Sequence, residues 1–353
     1  MVREVTLRDY RSYERLELGL EPGLVLVSGP NGAGKTNLLE SLHVATQGFS
    51  PRTRHDAQLV RLGAEQARVA VAGHRGGVPT AVDVRLSRSE GKRATLNGAR
   101  LRSAEQLRTE LVTLVFTPDR LTVVKGAPAV RRAYFDRALG RLLPVRAALP
   151  AEYASALGQR NASLRRVAAG LSDRDAIAPW TLRVAELAGE LVEARGALVS
   201  LVEPVFAARA AELGLEGAGL GYESDPPSAA ELDARLERDL ERGVTGRGPH
   251  LDDVVVRAGS RDLRVFGSQG EQRLAVLSLI LAEAELVAER RGLPPLLLLD
   301  DVLSELDTAR RKALGERIGG IGQTIVTATG ADVLPLAPAQ LLAVTPGAVR
   351  EAA

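Results

Sequence analysis

The stretch that most constrains this chain is residues 24–36, LVLVSGPNGAGKT. Leu24, Val25, Leu26 and Val27 read as a short buried strand. They run into Gly29-Pro30-Asn31-Gly32-Ala33-Gly34-Lys35-Thr36, which satisfies G-x-x-x-x-G-K-[ST] at every fixed position. Residues 37–46, NLLESLHVAT, then carry a helical apolar pattern. A glycine-rich loop between strand and helix is a phosphate cradle. Its glycines let the backbone curl so that successive N–H groups point inward. The positive end of the following helix adds to the attraction. Lys35 can then reach β- and γ-phosphates, and Thr36 can offer its hydroxyl to Mg²⁺. A chance glycine-rich turn would not need a strand before it and a helix after it.

With 353 residues, 45% of them hydrophobic, the chain can build a sizeable core and two domains. It contains no Cys. That excludes disulfides, thiolate zinc sites and cysteine nucleophiles, and suits a reducing cytosol. The opening MVREVTLRDY is charged and has no apolar signal core. No uncharged apolar run reaches the length needed to span a bilayer, the longest (residues 293–299) being strand-sized. The expectation is a cytoplasmic protein without a membrane partner. A net charge of +2 and a pI near 9.1 permit nucleic-acid binding without demanding it. An aromatic content of 3% argues against stacking platforms for single strands.

Along the chain, residues 1–20 alternate as two strands, and Pro22-Gly23 turns into the loop strand. Residues 67–72 and 80–86 alternate around the turn His74-Arg75-Gly76-Gly77, and Asn97-Gly98 is a second hairpin signal. Ser103 with Gln106 reads as a capping box, and residues 111–116 as a buried strand. Residues 1–125 therefore form the first part of an α/β lobe with an antiparallel sheet alongside the nucleotide strand. Residues 126–244 are helical: one helix ends at Pro144, a second at Gly170, and a third runs over residues 178–213 through Gly189, Gly196 and Pro204. Leu232, Leu236 and Leu240 line a last short helix. After the break at residues 245–250, strands are expected at 254–257 and 263–265, and the chain returns to the α/β lobe over residues 245–353.

Residues 296–301, LLLLDD, are a buried strand ending in two carboxylates. This is how a P-loop enzyme holds Mg²⁺ opposite the loop's threonine. Asp300 is then the metal-side carboxylate, and Asp301 is placed to orient or deprotonate the attacking water. Between the two halves lies Ser268-Gln269-Gly270-Glu271-Gln272-Arg273, at the start of a helical run over residues 272–290. As an ordinary helix cap, Ser268 needs no further role. As an anion site, its hydroxyl, the free N–H groups and the helix dipole point together. A second anion site makes sense if two chains face each other across shared nucleotides.

GPNGAGKT, SQGEQR, LLLLDD and Ser304-Glu305-Leu306-Asp307 resemble the Walker A, signature, Walker B and D-loop segments of ABC-type ATPases. With a helical insertion, the set resembles the SMC/RecN/RecF branch. The likeness is closest to the bacterial RecF family. It runs nearly end to end through Leu7-Arg8-Asp9-Tyr10-Arg11-Ser12-Tyr13, Asn37-Leu38-Leu39-Glu40, Phe116-Thr117-Pro118-Asp119, Lys125-Gly126 before Arg131-Arg132, and Gly248-Pro249-His250-Leu251-Asp252-Asp253. The resemblance implies an α/β fold: an ABC-type P-loop ATPase head, with a mixed sheet plus an antiparallel sheet, an inserted helical arm and no long coiled coil.

It also implies ATP and Mg²⁺ as cofactors. Nucleotide contacts fall on Gly29, Pro30, Asn31, Gly32, Ala33, Gly34, Lys35, Thr36, Ser268 and Gly270. Thr36 and Asp300 fall on the metal, and Asp301 and Lys35 on catalysis. Two departures stand out. Asp301 occupies the position where most ABC ATPases carry Glu, although RecF-like sequences resemble this one there, and the shorter carboxylate predicts slow turnover. Thr327-Ala328-Thr329 contains no switch histidine. No residue is assignable as the lobe-joining glutamine, Gln47 being too close to the loop.

The resemblance implies a DNA-repair ATPase that dimerises on ATP. It would bind double-stranded DNA and ssDNA–dsDNA junctions, and help RecR, with RecO, load recombinase at gaps. Arg131, Arg132, Arg137, Arg165 and Arg166 are candidate phosphate contacts, each also explicable as a solvated helix face. A transporter ATPase shares the four motifs but needs only a small helical subdomain between Lys35 and Ser268. A zinc-hook repair protein needs long heptads or a C-x-x-C tip. A P-loop kinase leaves SQGEQR unexplained.

Overall fold

The computed structural model describes residues 1–352 and divides into two compact units. The first comprises Met1–Leu121, Glu212–Gly214 and Val276–Ala353; the second comprises Thr122–Ala211 and Leu215–Ala275.

The chain opens with strands β1 (Val2–Tyr10), β2 (Tyr13–Gly19) and β3 (Leu24–Ser28), then helix α1 (Lys35–Gln47). Strands β4 (Gln66–Arg75), β5 (Val78–Ser87), β6 (Gly91–Leu96) and β7 (Ala99–Arg100) follow. Helix α2 (Ala104–Glu110) leads into β8 (Thr113–Phe116). The strands alternating in sequence form a six-stranded antiparallel sheet in the order β2-β1-β4-β5-β6-β7. One face buries Val5, Leu7, Leu16, Val69, Val84 and Leu86, and the other faces water, as period-two patterning requires. The expected turns are present: Gly76 and Gly77, and Asn97 and Gly98, all take positive φ in two-residue hairpins. The expected capping box at Ser103 is not made. Ser103 accepts no capping bond, and the Gln106 side chain takes the Arg102 N–H instead.

The second unit begins with α3 (Thr122–Lys125), α4 (Pro128–Leu142), α5 (Leu149–Ala168) and α6 (Ala178–Glu212). The 35-residue α6 stays continuous through Pro204, flanked by buried Val202 and Phe206, so packing outweighs the missing N–H. Next come β9 (Ala218–Gly221), α7 (Ala229–Ala234) and α8 (Leu236–Arg242). The expected single helix through Leu232, Leu236 and Leu240 is thus two, broken at Arg235. Strands β10 (Val255–Ala258) and β11 (Arg261–Asp262) join β9 in a three-stranded sheet. The segment expected as a strand at 263–265 is a helical turn, α9 (Leu263–Phe266), capped by the Asp262 side chain.

Helix α10 (Gln269–Arg291) carries the chain from the second unit into the first. There β12 (Leu296–Leu299), α11 (Thr308–Ile318), β13 (Thr324–Ala328), β14 (Gln340–Thr345) and β15 (Ala348–Glu351) complete the fold. The boundary drawn at residue 245 moves to Val276: residues 245–275 make their contacts with the helices and with β9, so the chain rejoins the first unit inside α10. A mixed six-stranded sheet runs β15-β14-β3-β13-β12-β8, with β14, β3, β13, β12 and β8 parallel. Its central strands are almost wholly buried, as a parallel sheet covered on both faces must be.

Candidate functional site

The loop after β3 is shaped by backbone conformations that only glycine tolerates well. Gly29 has φ +154°, and a Cβ there would lie 2.4 Å from the Val344 carbonyl oxygen. Gly34 caps α1 at φ +115°, where a Cβ would lie 3.0 Å from both Ser12 Oγ and Tyr13 Oη. The buried Tyr13 hydroxyl donates to Gly34 O at 3.0 Å. Burial pushes its pKa up to about 12, which keeps it a donor. Lys35 Nζ donates to Gly29 O at 2.6 Å and Pro30 O at 2.9 Å. Burial lowers the Lys35 pKa, and the charges of Asp301 and Asp300 oppose that shift. The ammonium is therefore partly desolvated and rests on neutral acceptors, poised for a stronger anionic partner.

Strand order decides what meets it. Thr36 follows β3, Asp300 follows β12, and β13 lies between the two strands. Thr36 Oγ1 donates to Asp300 Oδ1 at 3.0 Å, and Thr327 Oγ1, from β13, donates to the same oxygen at 2.8 Å. Thr327 Oγ1 also accepts the Asp301 N–H at 2.9 Å. Asp300 is 5% exposed. Burial raises its pKa, partly offset by the two hydroxyl bonds. Asp301 adopts φ +50°, a left-handed conformation that costs a non-glycine residue about 1–3 kcal/mol and clusters at functional sites. Thr327 is a site residue that sequence reasoning did not find. In the sequence it stands only where a switch histidine is lacking.

The donor set suits Mg²⁺, a hard ion held by one or two carboxylates, a hydroxyl, phosphates and water. Among the described residues, no group of three or more His, Asp or Glu could hold a metal by itself. Nucleotide phosphates are the natural source of the remaining ligands.

A buried carboxylate ties α1 to the turn between β1 and β2 and to the segment after α1. Glu40 on α1 accepts Arg11 Nε and Nη2, both at 2.8 Å, and Ser50 Oγ at 2.6 Å. Burial alone would raise the Glu40 pKa; the hydrogen bonds from Arg11 and Ser50 outweigh it and leave the group below its usual value. Gln47 is also buried, with Nε2 on Leu111 O at 2.6 Å, so it serves packing.

Ser268 and Gly270 belong to the second unit and are exposed at the start of α10. Ser268 Oγ accepts the Glu271 N–H at 3.2 Å, and Glu271 Oε2 accepts the Ser268 N–H at 2.8 Å. The helix cap is therefore real, and the hydroxyl proton remains to donate elsewhere. Hydrogen bonds from Arg261 and Ser268 hold the Glu271 carboxyl at about 2.

Among the arginine candidates, Arg131 is corrected. It is 2% exposed and grips Asp253 with Nε and Nη2, both at 2.6 Å, while Nη1 takes Val124 O and Gly126 O. Arg132 is half-buried and donates to Asp252 O. Arg137, Arg165 and Arg166 are exposed. The 248–253 motif is thus a structural anchor: His250 contacts Tyr153 Oη at 2.7 Å, and Asp252 accepts Tyr222 Oη at 2.7 Å.

A phosphate loop on a parallel sheet, a strand-end Asp pair beside it and a flanking antiparallel sheet together define an ATPase of the ABC type. Residues 1–349 match the model for the RecF/RecN/SMC N-terminal domain, and the chain belongs to that family, within it to the RecF proteins. It is 35% identical over 351 residues to the DNA replication and repair protein RecF of Bacillus subtilis (strain 168), covering 94% of each chain. It is 32% identical over 337 residues to the RecF of Lachnospira eligens, covering 94% of this chain and 93% of the other. Among solved structures it is similar to RecF with ATP, from the RecFOR pathway, with a TM-score of 0.88, 25% identity, and coverage of 100% and 97%. An Smc head bound to the winged-helix domain of ScpA, at 17% identity and TM-score 0.62, shares the fold, over 100% of this chain and 97% of that one.

Proposed function

We propose that this protein is an ATP-gated, DNA-binding clamp acting in DNA replication and repair. The observation that carries the proposal is the Thr36–Asp300–Thr327 cluster beside Lys35, in a chain that also exposes a serine-capped helix end at Ser268. On ATP binding, Lys35 exchanges its two loop carbonyls for β- and γ-phosphate oxygens. Thr36 and Asp300 would hold Mg²⁺, which would supply charge neutralisation at the phosphate oxygens. Ser268 and the N–H groups near Gly270 engage the γ-phosphate held by a second copy, so that two nucleotides join two chains. This makes the γ-phosphate a switch of dimer state, since it binds only the joined form.

Asp301 orients the attacking water and takes its proton. The new bond forms between water oxygen and γ-phosphorus, the β–γ bridge breaks, and ADP and phosphate leave. The short carboxylate reaches less far than Glu would, which makes turnover slow. Loss of the γ-phosphate then frees the dimer.

The DNA substrate in this proposal is duplex next to single-stranded gaps, with RecR and RecO as partners in loading recombinase. The similarity to RecF proteins supports that choice. Sedimentation with and without ATP, on gapped and linear duplex, tests it. Wild-type protein should dimerise on ATP and bind DNA in that state. Ser268→Arg should bind ATP yet stay monomeric, and Asp301→Asn should hold the dimer with intact ATP. Dimers of Ser268→Arg at wild-type abundance would refute the trans contact.

A further inference from the structure

The exposed face of the antiparallel sheet carries a straight row of arginines. Arg8 pairs directly with Arg15 on β2 and with Arg68 on β4; Arg68 pairs with Arg85 on β5, and Arg85 with Arg93 on β6. Residues directly opposite share a face. The sequence neighbours Leu7, Leu16, Val69, Val84 and Leu86 are buried beneath, so all five guanidiniums stand on the solvent side. Strands lie about 4.8 Å apart, so the row is about 19 Å long.

Like charges placed directly opposite destabilise a sheet, and here four such pairs are consecutive. Part of that repulsion is relieved by acids. Asp83 lies against Arg68 at 2.6 Å and Arg85 at 3.4 Å, Glu17 against Arg15 at 2.8 Å, and Glu90 against Arg93 at 3.0 Å. The acids fall short of the arginines. Arg100, opposite Thr95 in the next row, adds a sixth cation, and Glu4, two rows away, a fourth acid. The next row on one side is Glu17, Thr6, Ala70, Asp83 and Thr95, and on the other Gln66, Ser87 and Gly91, so no exposed side chain there is larger than Glu or Gln.

We infer that this face is a contact surface for the phosphate backbone of duplex DNA. It builds on the DNA-binding proposal and says where the duplex lies. A duplex presents one charge per about 1.7 Å of axis, so a row of this length faces about eleven phosphate charges. Guanidinium forks match phosphate oxygens better than ammonium groups do. The face exposes no Phe, Tyr or Trp on which single-stranded bases could stack: Tyr10 and Tyr13, next along β1 and β2, are fully buried. A flat cationic strip with low flanks suits a rigid polyanion.

The test uses the full chain with ATP, a short duplex and a salt series. Two double variants, Arg8→Gln with Arg85→Gln and Arg15→Gln with Arg93→Gln, should each weaken duplex binding about tenfold or more. Each should lower the slope of log affinity against log salt by about 2. Melting temperature should stay equal or rise, because repulsion is removed. ATP turnover and ATP-driven sedimentation should match wild type. Lysine at the same positions should restore most of the affinity. Wild-type affinity and slope in both double variants would overturn the inference while leaving the ATP-gated clamp standing. Failure of the wild-type protein to bind duplex in any nucleotide state would overturn both. Variants that keep duplex affinity but lose binding to phosphatidylglycerol vesicles or to poly-glutamate would assign the row to another polyanion, and the inference would be wrong.

Discussion

In the second unit, Arg160, Arg131 and Arg195, three of the four buried arginines among its described residues, are each closed by a carboxylate. Arg160 meets Asp239 at 2.8 Å, Arg131 meets Asp253 at 2.6 Å, and Arg195 meets Asp136 at 2.8 Å. Arg160 also takes Thr181 Oγ1 and Thr245 Oγ1, so its donors are spent inside the fold. In the first unit, Lys35 is 8% exposed, and its ammonium rests on two main-chain carbonyls. Nearby, Asp301 sits in a left-handed conformation. The contrast shows two uses of a buried charge. A paired and saturated charge locks packing, because breaking it strands its partner in a poor solvent. A charge held by neutral acceptors stays exchangeable, because a phosphate offers more than a carbonyl does.

The largest expected effect comes from removing the exchangeable charge. Lys35→Met should abolish ATP binding by calorimetry while changing stability by no more than about 1 kcal/mol. Melting collapse in that variant would erase the contrast. Asp239→Ala should do the reverse: it leaves Arg160 buried and uncompensated, at a cost of about 3–5 kcal/mol in denaturant unfolding. Gly34→Ala comes next. It forces a Cβ into φ +115° against Ser12 and Tyr13, costs about 1–3 kcal/mol, and should weaken ATP binding as well because the strain sits in the loop.

The smallest effect concerns Glu271. Its carboxyl is held at about 2, below its ordinary 4.5. A depressed carboxylate stabilises the fold above pH 4.5, and that contribution is lost as pH falls through about 2. Glu271→Gln should flatten this acid limb of a melting-temperature profile. The effect should be slight, because solvent screens the pair with Arg261.

Much of this was legible locally. The phosphate loop, the hairpins at Gly76-Gly77 and Asn97-Gly98, and the ends of α4 and α5 at Pro144 and Gly170 all depend on residues within a few positions of one another. Capping was half legible. Ser103 with Gln106 and Ser268 with Glu271 have the same spacing, yet only the second forms a box. The segment at 263–265 alternated like a strand, but Asp262 capped it as a helical turn. Arg131 and Arg132 looked alike as helix-face arginines. Burial of the first against Asp253 depends on a residue more than a hundred positions away. Thr327 was invisible for the same reason: its role follows from β13 lying between β3 and β12.

The amino-acid order alone determined that this chain carries a nucleotide loop, a carboxylate strand and a serine-tipped helix on an α/β frame with a helical insert. Each of those is written in spacing, and short-range sterics and hydrogen bonding suffice to read it. Only the tertiary structure decided which hydroxyls converge on Asp300, which arginines are locked inside, and that five others align across five strands. Those outcomes are set by strand order and register, where a shift of one residue turns every side chain to the opposite face.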